Sequence, residues 1–185
     1  MGWRKFCGWA LRKLGWTVVE GLPEEKKCIM LGVPHTTIWD FLIAYLYYKS
    51  IGGDALCMVK KELFFPPLGW ILKAMGAIPV DRSNATSLVR SVIKQMEENE
   101  EFHLAIAPEG TRKAVRRWKT GFHTIAKAVD GCVVYAGYFD WGRKRVGIGE
   151  RFPLTDDPRA DLERLQAHYE AMGLKGKHDG QFLTH

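Results

Sequence analysis

Short apolar runs alternate along the chain with longer stretches in which apolar residues recur every three or four positions, as far as about Phe139. The short runs read as strands at 28–33, 55–59, 77–80, 103–107, 132–139 and 145–152. The longer ones predict helices at about 38–50, 67–75, 84–98 and 121–129. The third of these places Leu88, Val89, Val92, Ile93 and Met96 on one face and opens on the capping candidates Ser83 and Asn84. Asp157-Pro158, an N-cap followed by proline at the first helical position, announces a last helix that stops near Gly173. Strand and helix taking turns in this way predicts an α/β fold: one domain, a mostly parallel mixed sheet flanked by helices. No repeat, long linker or low-complexity block divides residues 1–185, and residues 174–185 read as a loose tail.

The first sixteen residues wind into an amphipathic helix with Trp3, Phe6, Cys7, Ala10 and Leu14 on one side, while Arg4, Lys5 and Arg12 fall elsewhere. Aromatic side chains on one face with cations around them suit the headgroup boundary of a bilayer. A stripe docked on the protein's own core would give the same periodicity. Three tryptophans (Trp3, Trp9, Trp16) in so short a segment favour the membrane surface. The segment lacks the apolar core and cleavage site of a signal peptide, and Phe6 stands where an N-myristoylation signal wants Ser or Thr. No apolar run reaches the roughly 18 residues of a membrane span, since Lys49, Ser50, Gly52, Gly53 and Asp54 interrupt the richest stretch. The expectation is a peripheral protein rather than a spanning one.

Composition narrows the function classes. With 185 residues, 46% hydrophobic and 26% charged, the chain is suited to a packed core, which argues against disorder or a disulfide-framed miniprotein. A formal charge of +6 suits an acidic partner: an anionic bilayer, an acidic carrier protein or nucleic acid. Nucleic acid ranks last, because the aromatics mostly lie in apolar runs instead of along a cationic stripe. Cys7, Cys28, Cys57 and Cys132 are far apart without matching histidines, so they read as reduced thiols and not as zinc ligands. His103 and His123 likewise show no metal-ligand spacing, and no metal is expected.

In open α/β sheets ligands gather where strands end and the next helices begin, so the loops after the strands are the candidates for chemistry. After the first comes Pro34-His35-Thr36-Thr37, with Asp40 one turn into the following helix. Five residues at roughly 100° per step do not stack two side chains on one helix face, so His35 must lie in the loop with Asp40 reaching back. Such a carboxylate fixes the imidazole tautomer and leaves the second ring nitrogen to take a proton from a hydroxyl or amine. On its own the pair reads more readily as a capping or loop histidine beside a solvated acid. After the fourth strand comes Pro108-Glu109-Gly110-Thr111-Arg112, in which glycine lets backbone approach a ligand, Arg112 can grip a phosphate and Glu109 can orient a hydroxyl or an arginine. Lys113, Arg116, Arg117 and Lys119 follow, clustered around Trp118. Lys60 and Lys61 end the second strand and are weaker candidates for a phosphate basin, while Asp156 and Asp157 are better explained by capping.

His35 with Asp40 and Glu109 with Arg112, in this order, resemble two signature blocks of the glycerolipid acyltransferase family, the group related to bacterial 1-acylglycerol-3-phosphate acyltransferase. A third block of that family is similar to Gly76-Ala77-Ile78-Pro79-Val80-Asp81-Arg82, and the resemblance runs from about Ile29 to Tyr138. It implies a glycerol-phosphate acyltransferase-like fold and transfer of a fatty acyl group from acyl carrier protein or coenzyme A to the hydroxyl of lysophosphatidic acid, in phospholipid biosynthesis. It also implies His35 as base, Asp40 as its brace, and Arg82, Glu109, Gly110, Thr111 and Arg112 as the acceptor-binding groups. No cofactor beyond the acyl thioester is implied, and the expected place of work is the cytoplasmic face of the membrane. Direct attack on a thioester needs no enzyme-bound acyl group, which agrees with the missing Gly-x-Ser-x-Gly elbow.

The chain departs from the family pattern in two places. A late apolar strand that usually carries proline aligns with Val133-Val134-Tyr135-Ala136-Gly137-Tyr138, which has none, so donor or chain preference is open. The long hydrophobic extension of many relatives is also missing, leaving the Trp-rich helix, and the apolar segment from Leu63 to Leu72, to hold the lipid surface. Two other readings stand beside the leading one: the same chemistry on a lyso-aminolipid or free amine, and a non-catalytic lipid-surface binding protein.

Overall fold

The computed structural model describes residues 2–19, 21–81 and 84–178. Its elements are α1 (Trp3–Lys13), β1 (Thr17–Val18), β2 (Lys27–Leu31), α2 (Trp39–Ser50), β3 (Ala55–Lys60), a 3-10 turn (Lys61–Leu63), α3 (Leu68–Ala74), β4 (Ala77–Val80), α4 (Ala85–Glu98), β5 (Phe102–Ile106), α5 (Gly121–Ala128), β6 (Val133–Tyr135), β7 (Tyr138–Asp140), β8 (Arg145–Gly147) and α6 (Pro158–Met172). Five strands form an all-parallel sheet in the order β4-β3-β5-β2-β6, and β1-β8-β7 make a small second sheet.

Strand β2 is buried almost throughout, and its side chains divide between two cores with the period of two that a strand imposes. Ile29, Leu31 and Val33 join Val92 and Met96 of α4, Phe122 and Ile125 of α5, and Leu165 and Tyr169 of α6. Cys28 and Met30 point the other way, to Cys7 and Leu11 of α1 and Ile43, Leu46 and Tyr47 of α2. Helices therefore cover both faces, which is why the strands read as unbroken apolar runs. The helix starts follow the expected capping: Asn84 Oδ1 accepts the Ser87 amide at 2.9 Å, and Asp157 Oδ1 accepts those of Arg159 and Ala160. Each such cap is worth about 1 kcal/mol. Ser83, the other capping candidate, lies outside the described residues.

Three expectations change. The run 132–139 is two strands, because the chain bends at 136–137, where the Ala136 amide donates to Glu150 O instead of continuing the ladder. The run 145–152 is a strand only over Arg145–Gly147, where β8 pairs with β7 and with β1, which is too short to show a period of its own. On α1 the buried residues are Cys7, Gly8 and Leu11, whereas Trp3, Phe6 and Leu14 of the expected apolar side are exposed, because the side docked on α2 is turned from the expected one toward Gly8 and Leu11. The three tryptophans also part company: Trp16 is buried, and Trp3 and Trp9 are exposed. Among the described residues no helix is long and apolar enough to cross a membrane.

Because the five strands run parallel, β2, β4 and β5 all end on one edge of the sheet, with β2 and β5 hydrogen-bonded neighbours in register from Lys27↔Phe102 to Leu31↔Ile106. The loops that carry His35 and Glu109 thus leave the sheet side by side.

Candidate active site

The His35 loop is organised around one carboxylate. Asp40, buried at the start of α2, accepts the amides of Thr36 (2.8 Å) and Thr37 (2.9 Å) on Oδ2, and His35 Nδ1 lies 3.2 Å from the same oxygen. Its Oδ1 accepts the indole N–H of Trp141 at 2.8 Å. A carboxylate only accepts, so the Nδ1 proton faces Asp40 and the Nε2 lone pair is free for a substrate proton. Asp40 therefore does two jobs, holding the backbone of the loop that precedes its helix and bracing the imidazole. His35 itself is partly exposed, with 27% of its side chain open to solvent.

Glu109 arrives from the neighbouring strand end. It is buried, and its Oε1 accepts the His35 amide at 2.8 Å, which ties the two loops together. Among the described residues its Oε2 is the one buried side-chain oxygen or nitrogen without a hydrogen-bond partner. Burial pushes the carboxyl up to about 7, only partly offset by the His35 amide. Gly110 takes φ +66, which a residue with a Cβ adopts at a cost, and a Cβ there would also meet the Lys119 side chain at 3.3 Å. Thr111 Oγ1 accepts the Lys113 amide, and the exposed Arg112 has no ion pair or hydrogen bond among the described residues.

Strand β4 ends on the same edge, but Arg82 lies outside the described residues. Asp81 pairs with Lys61, and Lys60 lies 3.7 Å from Glu62, so both of those lysines have carboxylate neighbours. His103 and His123 are structural: the first bonds Tyr48 and the backbone of Glu25, and the second bonds the backbone of Thr155 and sits 3.2 Å from Asp161.

Two contributors escaped the sequence reading. Trp141 follows β7, and nothing in the local pattern links it to a loop a hundred residues earlier. The other is the stretch after α6, read as loose from residue 174. Leu174 is buried, Lys175 O accepts the Trp141 amide at 2.9 Å, and the Lys177 amide donates to Thr36 Oγ1 at 3.0 Å. Residues 174–177 are held by backbone hydrogen bonds, which a composition-based reading cannot register; residues 179–185 lie outside the described residues.

A family model described as Acyltransferase matches residues 13–138, a span that contains His35, Asp40, Glu109 and Arg112. The chain belongs to the acyltransferase family. It is 31% identical over 108 residues to the 1-acyl-sn-glycerol-3-phosphate acyltransferase of Streptococcus pneumoniae, covering 57% of this chain and 39% of that one. With the enzyme of the same name from Pseudomonas aeruginosa it shares 28% over 117 residues, covering 60% and 44%. The matches thus span about two fifths of the length of these curated relatives. The crystal structure of the 1-acyl-sn-glycerophosphate (LPA) acyltransferase PlsC from Thermotoga maritima superimposes with a TM-score of 0.60 at 17% identity, covering 95% of this chain and 80% of that one. The fold expected of the family is therefore the fold observed.

An apolar cavity of about 240 Å³ lies between α2 and the sheet. Gly32 and Phe41, which flank the His35 loop on its two sides, line one part of it; Leu56, Met75 and Tyr138 line others.

Proposed function

We propose that this protein transfers a fatty acyl group from an acyl carrier protein or coenzyme A thioester to the hydroxyl of 1-acylglycerol 3-phosphate. The observation that carries this reading is the His35 Nδ1 to Asp40 Oδ2 contact of 3.2 Å with Glu109 on the His35 amide, at the edge where both loops open. His35 Nε2 takes the acceptor's hydroxyl proton as its oxygen attacks the thioester carbonyl. The C–O bond forms, the C–S bond breaks, and the departing thiolate recovers the proton from the imidazolium, which Asp40 holds in place throughout. Arg112, with Gly110 and Thr111 in the same turn, supplies donors for the acceptor phosphate, and Arg82 is proposed to join them. The apolar cavity beginning beside Gly32 and Phe41 suits an alkyl chain.

The place of work is proposed to be the cytoplasmic surface of the membrane. Trp3, Phe6 and Trp9 are exposed and in ring contact, Trp3 stacked on Phe6 at 5.3 Å and Phe6 tilted against Trp9 at 5.7 Å, and the same helix carries Arg4, Lys5, Arg12 and Lys13. On α3, whose C-terminal end lines the cavity, Trp70 is 68% exposed beside Ile71. Aromatic edges flanked by cations gain both burial in the interface and attraction to anionic lipid.

One experiment tests both parts: purified protein is incubated with anionic vesicles carrying labelled lyso-lipids and each donor, products are identified by mass spectrometry, and the vesicles are sedimented. The native chain is expected to sediment and to make phosphatidic acid. His35→Ala is expected to sediment equally and to make at least a hundredfold less product, and a Trp3/Phe6/Trp9→Ser triple variant to stay in the supernatant. Undiminished product from His35→Ala sinks the catalytic assignment, and sedimentation of the triple variant sinks the membrane surface. Acylation of a lyso-aminolipid or free amine alone transfers the chemistry to another acceptor.

A further inference from the structure

The stretch after α6 brings a charge to the catalytic loop. The Lys177 amide, not its ammonium, makes the bond to Thr36 Oγ1. Gly176 lies so close to the loop that a Cβ there would stand 2.6 Å from Thr36 Cγ2, so any larger residue would have to displace Thr36. Lys175 bonds the Trp141 amide, and its side chain packs where a Cβ on Gly142 would stand 2.9 Å away. These backbone contacts settle where the chain runs and leave the Lys177 side chain for something else.

That side chain is placed by aromatic faces. Lys177 Nζ lies 5.2 Å from the centroid of the Trp39 ring and 5.1 Å from that of Trp141. Trp39 precedes Asp40 in the chain, and Trp141 donates its indole N–H to Asp40, so both rings belong to the wall of the His35 loop. Each cation–π contact at an exposed site contributes about 0.5–1 kcal/mol, enough to favour one position for an otherwise free lysine. Among the described residues the ammonium has no carboxylate partner, and Asp40 is already engaged by two amides, an imidazole and an indole. Lys177 and Trp141 both lie outside the 13–138 span of the family match, whereas Trp39 lies within it.

We propose that Lys177 is a phosphate-binding residue of the acyl-transfer site, held at the rim of the His35 loop by Trp39 and Trp141. It rests on the acyltransferase reading for its place in the reaction. The group it takes is a phosphate of a substrate, either the phosphomonoester of the acceptor or the phosphate of the donor's pantetheine arm.

The test is binding, read by quenching of tryptophan fluorescence, since the ammonium sits on two indoles. Native chain, Lys177→Gln and Lys177→Arg are titrated with hexanoylglycerol phosphate, hexanoylglycerol, phosphopantetheine and pantetheine. Lys177→Gln is expected to weaken one phosphorylated ligand about tenfold and leave its phosphate-free counterpart unchanged, with Lys177→Arg restoring most of the affinity. Loss confined to hexanoylglycerol phosphate identifies the acceptor as the source, and loss confined to phosphopantetheine identifies the donor. Equal binding by native chain and Lys177→Gln overturns the proposal, as does equal loss with and without phosphate, which is the signature of a merely structural lysine. The outcome does not depend on turnover: a protein that binds phosphate through Lys177 but transfers no acyl group would retain this inference and lose the acyltransferase reading.

Discussion

Two neighbouring strand ends build the site in opposite ways. After β2, each polar group around Asp40 has a partner: both carboxylate oxygens are engaged, and the donors come from two backbone amides, an imidazole and an indole. After β5, among the described residues, Glu109 carries one buried oxygen with no partner and Arg112 stands in solvent without any. The first loop is finished before substrate arrives, as a base that must be aimed within a few tenths of an ångström requires. The second is unfinished, and its idle donors and its raised carboxyl are what a charged ligand would complete.

If that contrast is right, the heaviest loss of stability follows from breaking the finished loop. Asp40→Ala removes the only carboxylate serving four donors, two of them buried backbone amides. Leaving such groups unpaired costs about 3–5 kcal/mol in total, read as a shift in the urea midpoint, with acyl transfer lost as well. A variant within about 0.5 kcal/mol of the native chain would mean that the loop is held by its backbone alone, and the distinction between the two strand ends would disappear.

Glu109 provides the intermediate effect, and its sign is opposite to that of an ordinary salt-bridged acid. Its folded carboxyl is raised by burial from 4.5 to about 7, so the folded chain binds a proton more tightly than the unfolded one. The stability this contributes is full at acid pH and falls as pH rises from the unfolded value through the folded one, by about 3 kcal/mol in all. Glu109→Gln keeps an oxygen for the His35 amide and cannot ionise. Relative to this variant, the native chain is expected to lose stability between about pH 4.5 and 7 in urea titrations at stepped pH. Parallel curves across that interval would show that Glu109 is hydrated or paired, and that the second loop is less unfinished than its contacts indicate.

Much of this contrast could be read along the chain, and the part that could not has a physical reason. His35, Asp40 and Glu109 sit at strand ends that periodicity locates within a residue or two, and the parallel arrangement then brings neighbouring strand ends together. The five-residue separation of His35 and Asp40 already required a loop histidine and a helix acid reaching back. Trp141 and residues 174–177 were invisible because their partners are set by the small second sheet and by the path after α6, neither of which has a local pattern. The faces of α1 were half legible: a helix with an apolar stripe was expected, but which of its residues dock, Cys7, Gly8 and Leu11 and not Trp3, Phe6 and Leu14, is set by the packing on α2.

The smallest effect on stability belongs to Arg112, which is why it sharpens the comparison best. An exposed guanidinium without a partner contributes almost nothing to folding, so Arg112→Gln is expected to leave the urea midpoint within about 0.5 kcal/mol of the native chain. If the second loop is waiting for an anion, the same substitution removes a charge-assisted hydrogen bond that exists only in the complex, worth about 1.5–3 kcal/mol. This corresponds to a rise of roughly ten- to a hundredfold in KM for a phosphorylated acceptor, with kcat nearly unchanged where binding is at equilibrium, because the His35 and Asp40 geometry is untouched. A kcat that falls while KM holds would place Arg112 on the reacting centre instead. A destabilised variant would show that Arg112 serves the fold, and the loop after β5 would then be as finished as the loop after β2.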